Sequence, residues 1–133
     1  MVLLMGNLLD NVKDYISENV KAENLTFGEN LFINFYPDEP DLIVSVIDLG
    51  GYPPDLYAPT REKVVEIKFR TSTYEEGSVL GNEIMELFHS KENYHLGEIR
   101  VLHSYARTDV NYLYKDKNEN EELVLELVFL IKK

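Results

Sequence analysis

Apolar residues recur at steps of four, three, four and four through Met5, Leu9, Val12, Ile16 and Val20, with Asp10, Lys13, Asp14 and Glu18 set between them. That spacing puts the five on one helical face and predicts an amphipathic helix from about residue 3 to 21. Residues 30–36 (NLFINFY) and 42–49 (LIVSVIDL) are short β-rich runs flanking PDEPD, whose prolines and aspartates are turn residues. They predict two neighbouring antiparallel strands. In residues 62–70, Val65, Ile67 and Phe69 alternate with Glu66, Lys68 and Arg70, the pattern of a strand with one buried face. Ser72 with Glu75, and Thr73 with Glu76, form overlapping capping boxes ahead of a stripe of Leu80, Ile84, Leu87 and Phe88. A second helix is expected over about 73–90, with Gly77 and Gly81 as weak points or close-approach sites. Two further strands, 98–107 and 122–132, are joined by a long polar excursion.

The last strand carries a second signal. Leu123, Leu125, Leu127, Phe129 and Ile131 make one wholly apolar face, and Val124, Val128 and Leu130 occupy three of the four positions opposite. A strand apolar on both faces is either central or covered by something else, and a partner subunit is a candidate cover. The order of elements predicts a single α+β domain over residues 1–133, with a mainly antiparallel sheet of about five strands against two helices.

One stretch fits no regular element. DLGGYPPDLYAPT, residues 48–60, holds paired glycines, paired prolines, two tyrosines and a third proline. Proline removes a backbone donor and glycine weakens any element it interrupts. Restricted φ at Pro53 and Pro54, with a sharp exit allowed at Gly50 and Gly51, suits a pre-ordered arm that docks at low entropic cost. Tyr36, Tyr52, Tyr57 and Tyr74 border it, and tyrosine is enriched at interface centres. Local packing of the same tyrosines over the prolines is the competing reading.

Composition narrows the class. The 133 residues are enough for a real core, and 44% of them are hydrophobic, which reads as globular rather than disordered. The absence of cysteine excludes disulfides and Cys-based zinc sites. The apolar start MVLLMG is too short for a secretory signal, and no run approaches the ~20 apolar residues of a membrane span, so a soluble protein is expected. A formal net charge of −11 opposes a tight grip on nucleic acid through phosphates. KDKNENEE, residues 115–122, reads as a solvated turn.

No catalytic constellation emerges. His89, His95 and His103 fit no zinc spacing, and none of Ser45, Ser72, Ser78, Ser90 or Ser104 sits in a G-x-S-x-G elbow. EEGSVLGNE matches neither a P-loop nor a dinucleotide fingerprint. No catalytic residue, metal ligand or cofactor is expected.

Taken in order, LFINFYPDEPD, then VIDLGGYPPDLY, then a strand ending in Arg70 and the helix start STYEEG resemble a family of siphophage minor capsid proteins, similar to tail terminators and head–tail joining proteins. The likeness runs from Leu31 to about Phe88, with a weaker echo through the last two strands. The positions that match are Pro37, Asp38, Pro40, Asp41, Gly50, Gly51, Tyr52, Pro53, Pro54, Asp55, Arg70 and Tyr74. The chain departs from the family where Glu66 stands for a frequent glutamine, and where Asn118 and Asn120 stand for a glycine before the last strand. The resemblance implies a non-enzymatic virion protein at the head–tail junction, assembled in the host cytoplasm. It would cap the tail tube as a ring, usually a hexamer, and meet the tail tube protein and the head connector protein, while DNA passes through without specific binding. Combined with the patterns above, it makes Gly50, Gly51, Tyr52, Pro53, Pro54, Asp55, Tyr57, Val124, Val128 and Leu130 the expected partner-binding residues. An adaptor to the portal or connector that forms no ring of its own, or a small hydrolase or metal enzyme, are the alternatives.

Overall fold

The computed structural model describes residues 8–53, 57 and 59–132. Helix α1 covers Leu8–Asn19, β1 Leu31–Ile33, β2 Ile43–Gly51, β3 Thr60–Thr71, α2 Tyr74–Phe88, β4 Lys91–Leu96, β5 Ile99–Ala106, β6 Asn111–Lys115 and β7 Glu121–Lys132. The strands form one sheet in the order β1-β2-β3-β7-β5-β4, with β6 also paired to β7. The expected α+β class holds, with seven strands rather than about five.

The core follows from strand alternation. Val65 stands opposite Leu127, Ile67 opposite Leu125 and Phe69 opposite Leu123, all on the face that meets the helices. Val12 and Ile16 of α1 and Leu80, Ile84 and Phe88 of α2 complete that cluster. Burying each such side chain contributes roughly 1.5–3 kcal/mol, so this single layer is the main source of stability. Helix α1 buries Leu8, Val12 and Ile16, with Val20 just beyond its end; Leu9 is only partly covered, and Met5 lies outside the described residues. Thr73 caps α2, its hydroxyl accepting the Glu76 N–H at 3.2 Å, so of the two overlapping capping boxes the second forms. Gly81 is a close-approach site: a Cβ there would lie 2.7 Å from the Phe69 ring and 2.9 Å from Val110.

The structure departs from the sequence expectations at several points. Strand β1 is only three residues long and runs parallel to β2, not antiparallel. Asn34 takes a left-handed φ of 52°, its N–H donates to the Val46 carbonyl, and its side chain accepts from Asp48 N–H, which ends the strand early. PDEPD therefore carries the chain back to the start of β2 instead of closing a hairpin. Strands β4 and β6 were not anticipated, because both are polar or fully exposed and lack an alternating buried face. In the turn before β7, where Asn118 and Asn120 stand in place of the family's glycine, the residue with left-handed backbone is Glu119, with φ 67°. That turn is not simply solvated either: Asn120 and Glu122 are buried.

Strand β7 is central, flanked by β3 on one side and by β5 and β6 on the other. Both helices pack on one face of the sheet. On the opposite face Ile43, Val64 and Val128 are buried outside the main core, while Ile47, Val124 and Leu130 are half-buried.

Candidate functional site

Strands β2 and β3 form a long hairpin whose two ends hold the two proline-containing motifs. At one end β2 bulges between Asp48 and Gly50, and the paired glycines are its last two strand residues rather than part of the loop. Gly50 has φ 88° and its N–H donates to the Asp48 carboxylate at 2.7 Å. Gly51 has φ 135°, and a Cβ there would lie 2.4 Å from the Glu62 carbonyl oxygen. Only glycine fits such an approach. Tyr52 N–H then donates to that same carbonyl at 3.2 Å, and the arm begins. Tyr52 is 68% exposed and Tyr57 92%. Pro54 and Asp55 lie outside the described residues.

The structure joins the arm and the last strand at one place. Tyr52, Pro53 and Leu130 line a shared cleft of about 260 Å³ with Arg61 and Glu62. Val128 is 2% exposed and already covered within the chain, by Val64 on β3 and Tyr105 on β5 as its neighbours in register. Val124 is remote from the arm, opposite Lys68 and Asn111 at the other end of the strand. Of the expected partner-binding residues, Tyr52, Pro53 and Leu130 are brought together, while Val128 is buried and Val124 stands apart.

The opposite end of the hairpin is built around Arg70, which is 3% exposed. Its Nη2 donates to the carbonyls of Pro40 at 2.6 Å and Pro37 at 3.0 Å, and Nε donates to Asp41 at 3.3 Å. Nη1 stands 3.6 Å from the buried carboxylate of Glu122. The guanidinium also lies over the Tyr36 ring, 5.2 Å from its centroid, while the Tyr36 hydroxyl donates to Glu122. Asn120 adds a bond from its amide to Asp41 Oδ1 at 3.0 Å. A buried guanidinium needs this many acceptors, and PDEPD supplies them as backbone carbonyls.

Electrostatics at this end are coupled. Burial pushes the Glu122 carboxyl up, and the hydrogen bond that its protonated form donates to Asp116 pushes it further. The same bond holds Asp116 below the usual carboxylate range. Tyr36 is raised well above an ordinary phenol by burial and by Glu122. The cleft beside them measures about 360 Å³. Sequence reasoning marked Arg70 as a motif position but missed its partners, because Glu122 and Asn120 sit in a run that reads as solvated polar turn.

On the uncovered face Glu66 stands directly opposite Glu126, whose carboxylate pairs with Arg107 at 2.6 Å. Burial and then Glu126 raise the Glu66 carboxyl, while Lys68 opposes the shift.

The histidines do other work. His89 caps α2 and accepts the Ala106 N–H at 3.0 Å, and His103 stacks on Tyr105. The hydroxyls of Ser45 and Ser104 donate to the carbonyls of Phe35 and Phe88. Among the described residues no group of three or more His, Asp or Glu side chains is arranged to hold a metal ion, and no helix is long and apolar enough to cross a membrane.

Residues 20–133 match the family of bacteriophage tail terminator proteins. A chain from the virion of a native gene transfer agent particle shares the fold, with TM-score 0.64, 12% identity and full coverage of both chains. A second solved structure aligns with TM-score 0.57 at 10% identity, covering 96% of this chain and 98% of the other. No curated protein sequence matches significantly. With the match spanning all but the first helix, the chain belongs to the bacteriophage tail terminator family, and is a structural component of the phage tail.

Proposed function

We propose that this protein works without catalysis, as one subunit of a ring, a hexamer, that caps the tail tube protein and meets the head connector protein at the head–tail junction after assembly in the host cytoplasm. Family membership over residues 20–133 is the observation that carries the reading. The geometry is consistent with it: among the described residues both helices pack on one sheet face, Tyr52 is exposed beside Leu130, and Tyr57 is exposed further along the arm. In this reading Gly50 and Gly51 aim the arm, Tyr52, Pro53, Pro54, Asp55 and Tyr57 present it, and Leu130 and Val124 add apolar contact. Val128 supports the strand from beneath. A net charge of −11 per chain leaves DNA free to slide through the ring, because phosphate binding depends on clustered basic side chains.

Negative-stain microscopy of the purified protein, alone and with tail tubes, tests the proposal. Rings in solution or capping tube ends are the expected result. Single copies attached to a connector, with no ring under either condition, would instead establish the adaptor alternative. Gel shift at low salt should find no binding of duplex DNA near micromolar protein.

A further inference from the structure

The cleft beside Arg70 has a chemistry that matches the arm at the far end of the same hairpin. Its walls include the rings of Tyr36 and Tyr114 and the cations of Lys68, Lys115 and Lys117. Lys68 lies over the Tyr36 ring, 4.6 Å from its centroid, and Lys115 stands 3.8 Å from Glu121. Lys117 is exposed and makes no ion pair with a described residue. The carboxyls of Asp116 and Glu122 face each other and Arg70, so their charge is balanced inside the cluster. Asp38 is exposed on the same wall; with Lys115 paired to Glu121, Lys68 and Lys117 still outnumber it beside the two tyrosine rings, a local exception in a chain this acidic. Aromatic-lined grooves accept proline, and lysines beside them accept a carboxylate. The arm reads Tyr52, Pro53, Pro54, Asp55.

The arm cannot fill the cleft of its own chain. Glu62, which holds the arm's root, and Arg70 both lie on β3, separated by roughly 26 Å at 3.3 Å per residue. The segment between Gly51 and Thr60 leaves and rejoins one hairpin, so its tip extends at most roughly 15 Å from it. A second copy has no such restriction.

Resting on the ring reading above, we propose that the cleft bounded by Tyr36, Lys68, Tyr114 and Lys117 receives Pro53, Pro54 and Asp55 of the neighbouring copy. Donor and acceptor are then different surfaces at opposite ends of one hairpin. Such a head-to-tail contact repeats from copy to copy and closes into a ring when the rotation allows.

The chain has no cysteine, so introduced thiols report without background. Pro53→Cys and Asn118→Cys, each first shown to melt like the parent, are mixed under mild oxidation. The mixture should give disulfide-linked dimers on the order of tenfold above either variant alone, as docking raises the effective thiol concentration. Adding Lys117→Glu to the Asn118→Cys chain should lower that yield about twofold to fivefold, and Asp55→Lys on the other chain should restore it. Assemblies larger than a monomer that do not cross-link would overturn the arm-and-cleft pairing and leave the ring intact. Monomers at every concentration by light scattering, without cross-links, would overturn both. A yield indifferent to both charge changes would also overturn the pairing.

Discussion

The two proline motifs of the β2–β3 hairpin look alike as sequence and behave differently in the fold. PDEPD, at residues 37–41, is tied to the body by three carbonyl acceptors of a buried arginine. GGYPPD, at residues 50–55, is anchored at its root by the close approach of Gly51 and one bond from Tyr52 to Glu62, and Pro54 and Asp55 lie outside the described residues. Proline content alone does not separate a folded turn from a projecting arm. The separation comes from what the neighbouring strand end offers: β3 closes on Arg70 at one end and opens on Thr60 at the other. One motif therefore serves the fold, and the other is the one proposed above to meet a partner.

The largest test of that contrast is Arg70→Met. It removes the donor for three carbonyls and leaves Glu122 buried without its cation, a kind of change that costs about 3–5 kcal/mol. Thermal melting at neutral pH should fall by roughly 10 °C or more. The loss should shrink toward pH 4, because Glu122, already raised in pKa, takes up a proton and no longer needs the arginine. A loss near 0.5 kcal/mol, typical of an exposed site, would mean that PDEPD holds itself.

The comparison also explains what was legible in the sequence. Alternation exposed β3 and β7, and the capping box exposed α2, because one buried face leaves a periodic trace. Strand β6 left none, since all five of its residues are exposed and it is held only by pairing with β7. The parallel pairing of β1 was hidden because Asn34 terminates the strand through its own side chain. That regular structure breaks after residue 48 was readable from the glycines and prolines, though Gly50 and Gly51 still belong to β2. The Arg70 cluster was not, because its acceptors are backbone carbonyls and its acid comes from the far end of the chain.

Next in size is Gly51→Ala, which asks whether the arm's root belongs to the fold. The added Cβ meets the Glu62 carbonyl at 2.4 Å and the Lys63 Cα at 2.9 Å, both backbone and neither free to move. Overpacking of this kind costs about 1–3 kcal/mol. Gly50→Ala meets no atom within 4 Å, so any loss there comes from its positive φ alone. Equal melting losses for the two variants would show that the tight approach at Gly51 is not what fixes the root.

A smaller effect, of opposite sign, is expected at Glu66→Gln, midway between the two ends. Glu66 faces Glu126 directly, and like charges so placed destabilise a sheet by roughly 0.2–1 kcal/mol. The carboxyl is raised in the folded state, so its contribution is fully present below the unfolded pKa and is lost as pH rises through the folded value. Arg107 is held by Glu126 and only Lys68 on the same strand opposes the shift, so the sign survives its neighbours. Glutamine should therefore raise the melting temperature slightly at pH 7 and leave it unchanged near pH 4. A gain that does not depend on pH would point to packing rather than charge.

The smallest effect on stability belongs to Tyr52→Ser, and that is its value. The side chain is 68% exposed, and Leu130, with which it shares a cleft, is itself only half-buried. Losing an exposed ring should change folding by no more than about 0.5 kcal/mol. If the arm docks on a neighbour, the same ring becomes an interface anchor whose loss weakens association by about 1–2 kcal/mol, roughly fivefold to thirtyfold in the dissociation constant. Melting curves and sedimentation run on the same samples separate the two quantities. An assembly defect with unchanged melting assigns Tyr52 to the partner. A variant that melts early while remaining assembled would make the arm's root a second folded turn, and the contrast between the hairpin's two ends would disappear.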